Sequence, residues 1–160
     1  METRTFVGAL RDVDTNSPGE HGVVYAMGAG FRRVPEPGSA EGRTLRGFRD
    51  KARERNLALV ARMALSAPEV TLDYERDVLP LTPAGVATER HIVRAYVDKA
   101  MALRKTGASA FFAGLLGKDQ ATADRLLADR AALEEAVRAR LIKRGGLAYA
   151  QPDESWFPPL

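Results

Sequence analysis

TERHIVRAYVDKAMALRK, Thr88 to Lys105, is the stretch on which the fold of this chain turns. Its apolar residues Ile92, Tyr96, Val97, Ala100 and Met101 recur at steps of three and four, which places them on one stripe of an α-helix. Thr88 is a good N-cap, because a threonine oxygen takes one of the backbone N–H groups that a first turn leaves unpaired. Gly107 stops the helix. Glu89, Arg90 and His91 therefore fill its first three positions. The free N–H groups and the positive end of the dipole make such a turn receptive to anions. The same residues also read as an ordinary capped helix start in which Glu89 offsets Arg90. One histidine beside one glutamate falls short of the ligand set of a metal centre.

On the N-terminal side of this stretch, RTLRGFRDKARERNLALVARMAL, Arg43 to Leu65, predicts a first long helix. Leu45, Phe48, Ala52, Leu59, Val60 and Met63 form its apolar side, Ser39 is its cap and Glu41 lies in its first turn. Arg43, Arg46, Arg49, Lys51, Arg53 and Arg55 form the other face. Asp50 and Glu54 partly neutralise them at helical spacing, so a solvated face is expected and a nucleic-acid partner is not. Pro68 ends the helix, and Val70 to Leu72 predicts a short strand or extended segment. Asp73, Glu75 and Asp77 read as a solvated acidic rim.

On the C-terminal side, SAFFAGLLG, Ser109 to Gly117, is a short apolar piece. Asp119 then caps a third helix that runs to about Arg144, burying Leu126, Leu127, Leu133, Val137 and Leu141. Lys143 and Arg144 close it with positive charge, followed by Gly145.

The N-terminus has a different pattern. Thr3 to Leu10 and Gly22 to Phe31 are strand-like, and DVDTNSPGEHG between them is dense in turn formers, which predicts a hairpin. His21 lies in that loop. It becomes a metal ligand only if it meets Glu2, Asp12 or Asp14 across the hairpin. The glycines of MGAGF form neither GxGxxG nor GK[ST], and Ser109 lacks a GxSxG setting, so neither a nucleotide loop nor a serine nucleophile is indicated. LAYAQPDESWFPPL, Leu147 to Leu160, is extended, with Tyr149, Trp156 and Phe157 as a small aromatic group and an apolar end that suggests either docking onto the helices or a cut inside a longer polypeptide.

The expected fold is thus mainly α with a short β segment, an α+β class. It divides into a strand or hairpin segment over 1–38, a helical subdomain of three main helices over 39–147 and an extended segment over 148–160. Among 160 residues, 24 Lys and Arg against 21 Asp and Glu leave a formal charge of only +3, which names no partner. The chain has no cysteine, which excludes disulfides and thiolate chemistry. No apolar run approaches the roughly 20 residues of a membrane span, so a cytoplasmic protein is expected.

Four local patterns, taken in order, resemble the PHP domain, the polymerase and histidinol phosphatase superfamily. VVYAMGAGF is similar to the family's strand ending in a His-Ile-Leu-Gly-Tyr type of sequence. RDKARERNLALVARM resembles the arginine-rich helix after it, TERHIVRAYVDKA the Gly-Arg-Pro-His-Ile-Ala helix start, and GGLAYAQPDESWF the Ala-Tyr-Val-Pro segment. The resemblance implies an internal part of a distorted β/α barrel together with its helical subdomain, with further metal motifs outside Met1 to Leu160. It implies a metal-dependent phosphoesterase acting on a small phosphorylated substrate, with this chain inactive by itself. On that reading Arg90 and His91 bind the substrate phosphate, while Glu2 and His21 help hold a divalent zinc, manganese or iron ion. Glu89 stands where the family's motif has arginine. The residues alone leave an alternative, a non-catalytic helical binding or structural module.

Overall fold

The computed structural model of the chain describes residues 2–15, 19–27, 33–83 and 85–151, with the backbone alone at 2–4 and 26–27. The described residues are mainly helical, with a two-stranded antiparallel sheet. They divide into two compact units, one holding the chain up to Leu45 together with Gln151, the other Arg46–Ala150. No helix among them is long and apolar enough to cross a membrane.

In the first unit, β1 (Glu2–Phe6) pairs with β2 (Val23–Met27), Glu2 opposite Met27 and Phe6 opposite Val23. The hairpin continues beyond the sheet, where the Val7 N–H donates to the Gly22 carbonyl at 2.8 Å and the Gly22 N–H to that of Val13 at 3.0 Å. The first strand is shorter than the pattern Thr3 to Leu10 suggests, because Gly8–Leu10 turns into a single 3-10 turn, a conformation glycine enters at little cost. Gly22 has φ +71°, and a Cβ there would stand 2.8 Å from the Phe6 ring and 3.2 Å from the Arg11 backbone. Glycine is therefore required where the hairpin closes. The GAGF half of the second strand-like run and the aromatic pair Trp156 and Phe157 lie outside the described residues.

Helix α1 (Ala40–Ser66) starts as expected at Ser39, whose Oγ takes the Gly42 N–H at 3.0 Å. Its deeply buried residues come late, at Asn56, Leu59, Val60 and Met63. Leu45 and Phe48 are only half-buried.

The core of the second unit forms around α2 (Glu89–Leu103), which buries Ile92, Val93, Ala95, Tyr96, Val97 and Ala100. This is wider than the single stripe read from the sequence. Val93 and Ala95 are buried, while Met101 is 39% exposed. A helix apolar on most sides belongs in the middle of a bundle. Against it pack α5 (Arg130–Leu141) and the turn Tyr74–Val78, while α3 (Ala108–Leu116) and α4 (Gln120–Ala128) complete the layer beside α5.

One local expectation is corrected and two are made definite. SAFFAGLLG lies in a true helix: α3 is framed by left-handed Gly107 and Gly117 and buries Phe112 and Leu116, one helical turn apart. The third long helix is two helices. Asp129 leaves the helical conformation at φ −122°, ψ 98° and its side chain takes the Ala132 N–H, capping α5. Of the two alternatives for Val70 to Leu72 the strand is not formed, and the stretch carries no regular secondary structure; Val70 is buried in the core.

Of the acidic residues after Leu72, Asp73 and Glu75 are exposed, as a solvated rim requires, and Asp77 is not. Asp73 accepts the Arg76 N–H at 2.9 Å, and Asp77 in turn accepts the Asp73 N–H at 2.8 Å. Glu75 pairs with Arg53, and Asp77 pairs with Lys99 of α2 at only 17% exposure. Partial burial opposes ionisation of Asp77, yet the Lys99 ammonium, the Asp73 N–H and Arg76 outweigh it and hold the carboxyl down at about 2.

Tyr96 offers a contrast. Its hydroxyl is buried with no hydrogen-bond partner among the described residues. Burial, with help from the charge of Glu69, pushes it up to about 12. A buried hydroxyl without a partner carries a desolvation cost of about 1–3 kcal/mol. Tyr96→Phe is accordingly expected to leave urea stability unchanged or raise it by up to about 1 kcal/mol, and a loss beyond about 1 kcal/mol would show that the hydroxyl is satisfied after all.

Candidate functional site

The second unit carries two adjoining features, the first turn of α2 and a groove that runs into it. Thr88 is extended, at φ −110° and ψ 169°, as an N-cap must be. Its N–H donates to Nδ1 of His91 at 3.1 Å, and its Oγ1 lies 2.9 Å from the same nitrogen. His91 thus does what glutamate does in a capping box, reaching back three residues to a backbone donor. The bond requires Nδ1 to be unprotonated, which leaves Nε2 carrying the proton of the neutral ring.

Glu89 does not offset Arg90. Its Oε2 accepts from Nη2 of Arg138 at 3.0 Å and from Nε at 3.3 Å. Arg138 belongs to α5, is 17% exposed and also reaches Glu135 at 3.4 Å. Arg138 is brought to Glu89 from 49 residues away. Arg90 is exposed and forms no ion pair among the described residues.

Residues 85–87, which lead into Thr88, also form one wall of a groove of about 220 Å³. Arg49, Asp50, Arg53 and Asn56 of α1 form another, with Tyr74 beside them. Asn56 is 1% exposed. Its Nδ2 donates to the Ala87 carbonyl at 2.8 Å and, more weakly, to the Tyr74 hydroxyl at 3.4 Å. Its Oδ1 is buried without a hydrogen-bond partner among the described residues. The Arg53 guanidinium lies 5.9 Å over the Tyr74 ring and is engaged by Glu75.

Neither Asn56 nor Arg138 is singled out by the sequence reading. Asn56 had a signal: it interrupts the apolar row Phe48, Ala52, Asn56, Val60, and a polar residue in such a row must either find partners or be costly. Arg138 had none, since nothing local ties it to Glu89.

The two residues assigned to a metal lie in the first unit. His21 does meet a carboxylate, its Nδ1 standing 3.1 Å from Oδ1 of Asp14, across an isolated antiparallel bridge. Both side chains are about half exposed, at 55% and 44%, and the same Asp14 oxygen accepts the Gly19 N–H at 3.0 Å. Glu2 is elsewhere. It pairs with Met27, six residues along the strand from His21, or about 20 Å at the rise of a β-strand. Among the described residues no group of three or more histidines and carboxylates is placed to hold a metal ion. The pair His21 and Asp14 supplies two donors where a tetrahedral centre takes four, so the described residues do not complete such a centre. Arg90 and His91, by contrast, share one helical turn. Comparison with protein-family models, with curated proteins and with solved structures finds no match for this chain.

Proposed function

We propose that the chain is the helical part of a PHP-type metal-dependent phosphoesterase, within a distorted β/α barrel, and that the first turn of α2 receives the phosphate of a small phosphorylated substrate. One observation carries the reading: Glu89 is drawn onto Arg138, which leaves Arg90 at the positive end of α2 without an acid to answer it among the described residues. A phosphate there meets the N–H groups of Glu89 and Arg90, the Arg90 guanidinium and the Nε2–H that His91 has left to offer. The described residues do not complete a metal centre, and the bond-breaking step is not assigned to them.

Inorganic phosphate titrated into the isotope-labelled chain tests this by NMR. The amides of residues 89–92 are expected to shift, and Arg90→Ala is expected to weaken binding about 10- to 100-fold, the worth of a charge-assisted hydrogen bond. His91→Gln keeps an acceptor for the Thr88 N–H but removes the imidazole, and is expected to weaken binding about 3- to 10-fold with no loss of stability. A flat titration at residues 89–92 overturns the reading.

A second reading, a non-catalytic helical binding or structural module, is favoured by a different observation. The bonds made by His91 and Glu89 hold the fold together, one by capping α2 and one by tying it to α5. In that case His91→Ala costs about 1 kcal/mol of stability and phosphate leaves the spectrum unchanged.

A further inference from the structure

The groove between α1 and the segment before α2 has features that the first turn of α2 does not use. We infer that it binds a small hydroxylated anion, such as a sugar phosphate or a sugar acid, through Arg49, Asp50 and Asn56. The inference is independent of the phosphate reading of α2, because it rests on different side chains.

Asn56 is the anchor. Its Nδ2 is committed to the Ala87 carbonyl at 2.8 Å. Turning the amide over would set Oδ1 against that carbonyl, acceptor against acceptor, so the orientation is fixed. Oδ1 is left as a buried acceptor, unpartnered among the described residues, in a side chain that lines the groove. An acceptor so placed calls for an N–H or O–H donor from whatever enters.

Charge narrows the class. Arg49 and Asp50 line the groove, are exposed, and make no ion pair with described residues. As consecutive residues of a helix they do not face each other. Arg53 is already held by Glu75 and shields one side with the Tyr74 ring. Arg49 thus selects an anionic group. The carboxylate of Asp50 repels a bare anion but accepts from a hydroxyl, so the ligand must carry both. The volume, about 220 Å³, lies below the roughly 300–1,000 Å³ of pockets for drug-sized ligands, which limits the ligand to a small body.

Ribose 5-phosphate, gluconate, ribose and inorganic phosphate are the probes, titrated separately into the chain with NMR detection of the Asn56 side-chain amide. Ribose 5-phosphate or gluconate, or both, are expected to shift that amide and to bind at least tenfold more tightly than ribose or inorganic phosphate. The stronger of the two names the source of the anionic group. Arg49→Ala and Asp50→Asn each remove an exposed charge and are expected to weaken binding, read at the Asn56 amide, at least fivefold. Binding equalled by ribose or by phosphate alone overturns the inference, as does binding indifferent to both groove variants, or none at millimolar concentration. Phosphate shifts at 89–92 alone, with the Asn56 amide silent, overturn it while leaving the α2 reading intact.

Discussion

Replacing Phe112 with alanine is expected to destabilise the second unit by about 3–5 kcal/mol. The ring is fully buried and packs edge-on against Phe111, with centroids 5.1 Å apart at 75°. Its helix, α3, is nine residues long, begins after Gly107 at φ +98° and ends at Gly117 at φ +63°. A helix this short is marginal by itself in water. Its first turn also lacks a side-chain cap at Gly107, so α3 depends on what it buries, and Phe112 with Leu116 is most of that. Against a total stability of about 5–15 kcal/mol for a typical domain, the loss brings the unit close to unfolding. Urea denaturation checks it: the midpoint should fall while the slope stays constant. A change below about 1 kcal/mol would mean that the ring is not core.

Asp77→Asn is expected to cost about 2 kcal/mol at neutral pH and little below about pH 2. The folded carboxyl sits at about 2, below its ordinary value of 3.8. A lowered acid pKa contributes stability that is fully present above the unfolded value, and that stability drains away as pH falls from about 4 to about 2. The variant should therefore show a flatter acid limb, and the two stability curves should converge near pH 2. Lys99 is 25% exposed and Asp77 17%, so added salt should weaken the difference only modestly. Parallel curves for the two proteins between pH 2 and pH 5 would rule out the linkage.

Local pattern carried the sequence reading far where the structure is itself local. Ser39 opens α1 and Thr88 opens α2 because capping is decided within four residues. The hairpin was legible from its turn formers, and the meeting of His21 with a carboxylate was one of the outcomes its loop allowed. Failures came where a weak local preference met a tertiary demand. Asp129 is an acceptable residue inside a helix, and LADRAAL scans as one continuous turn pattern. The chain breaks there because an aspartate can also cap a new helix, as Asp129 does through the Ala132 N–H. Val70 has no partner strand among the described residues, so its β preference counted for little. At the candidate site, Arg90 and His91 were visible as neighbours in sequence. The pairing of Glu89 with Arg138 and the groove behind Ala87 join residues 49 and 31 positions apart, distances over which no periodicity speaks.

The bonds by which α1 meets the chain after α5 set the order of events as this protein is made. Nε of Arg62 donates to the Ala148 carbonyl at 2.9 Å, and Oγ of Ser66 to that of Leu147 at 3.0 Å, across 86 and 81 residues. During synthesis the late half of α1 leaves the ribosome long before those acceptors exist. Leu59, Val60 and Met63 sit in the same core as Ala148, so the packing around them is complete only after the helices α2 to α5 have been made. A ribosome that stalls in that interval leaves this core unfinished, with apolar surface of the kind that chaperones recognise.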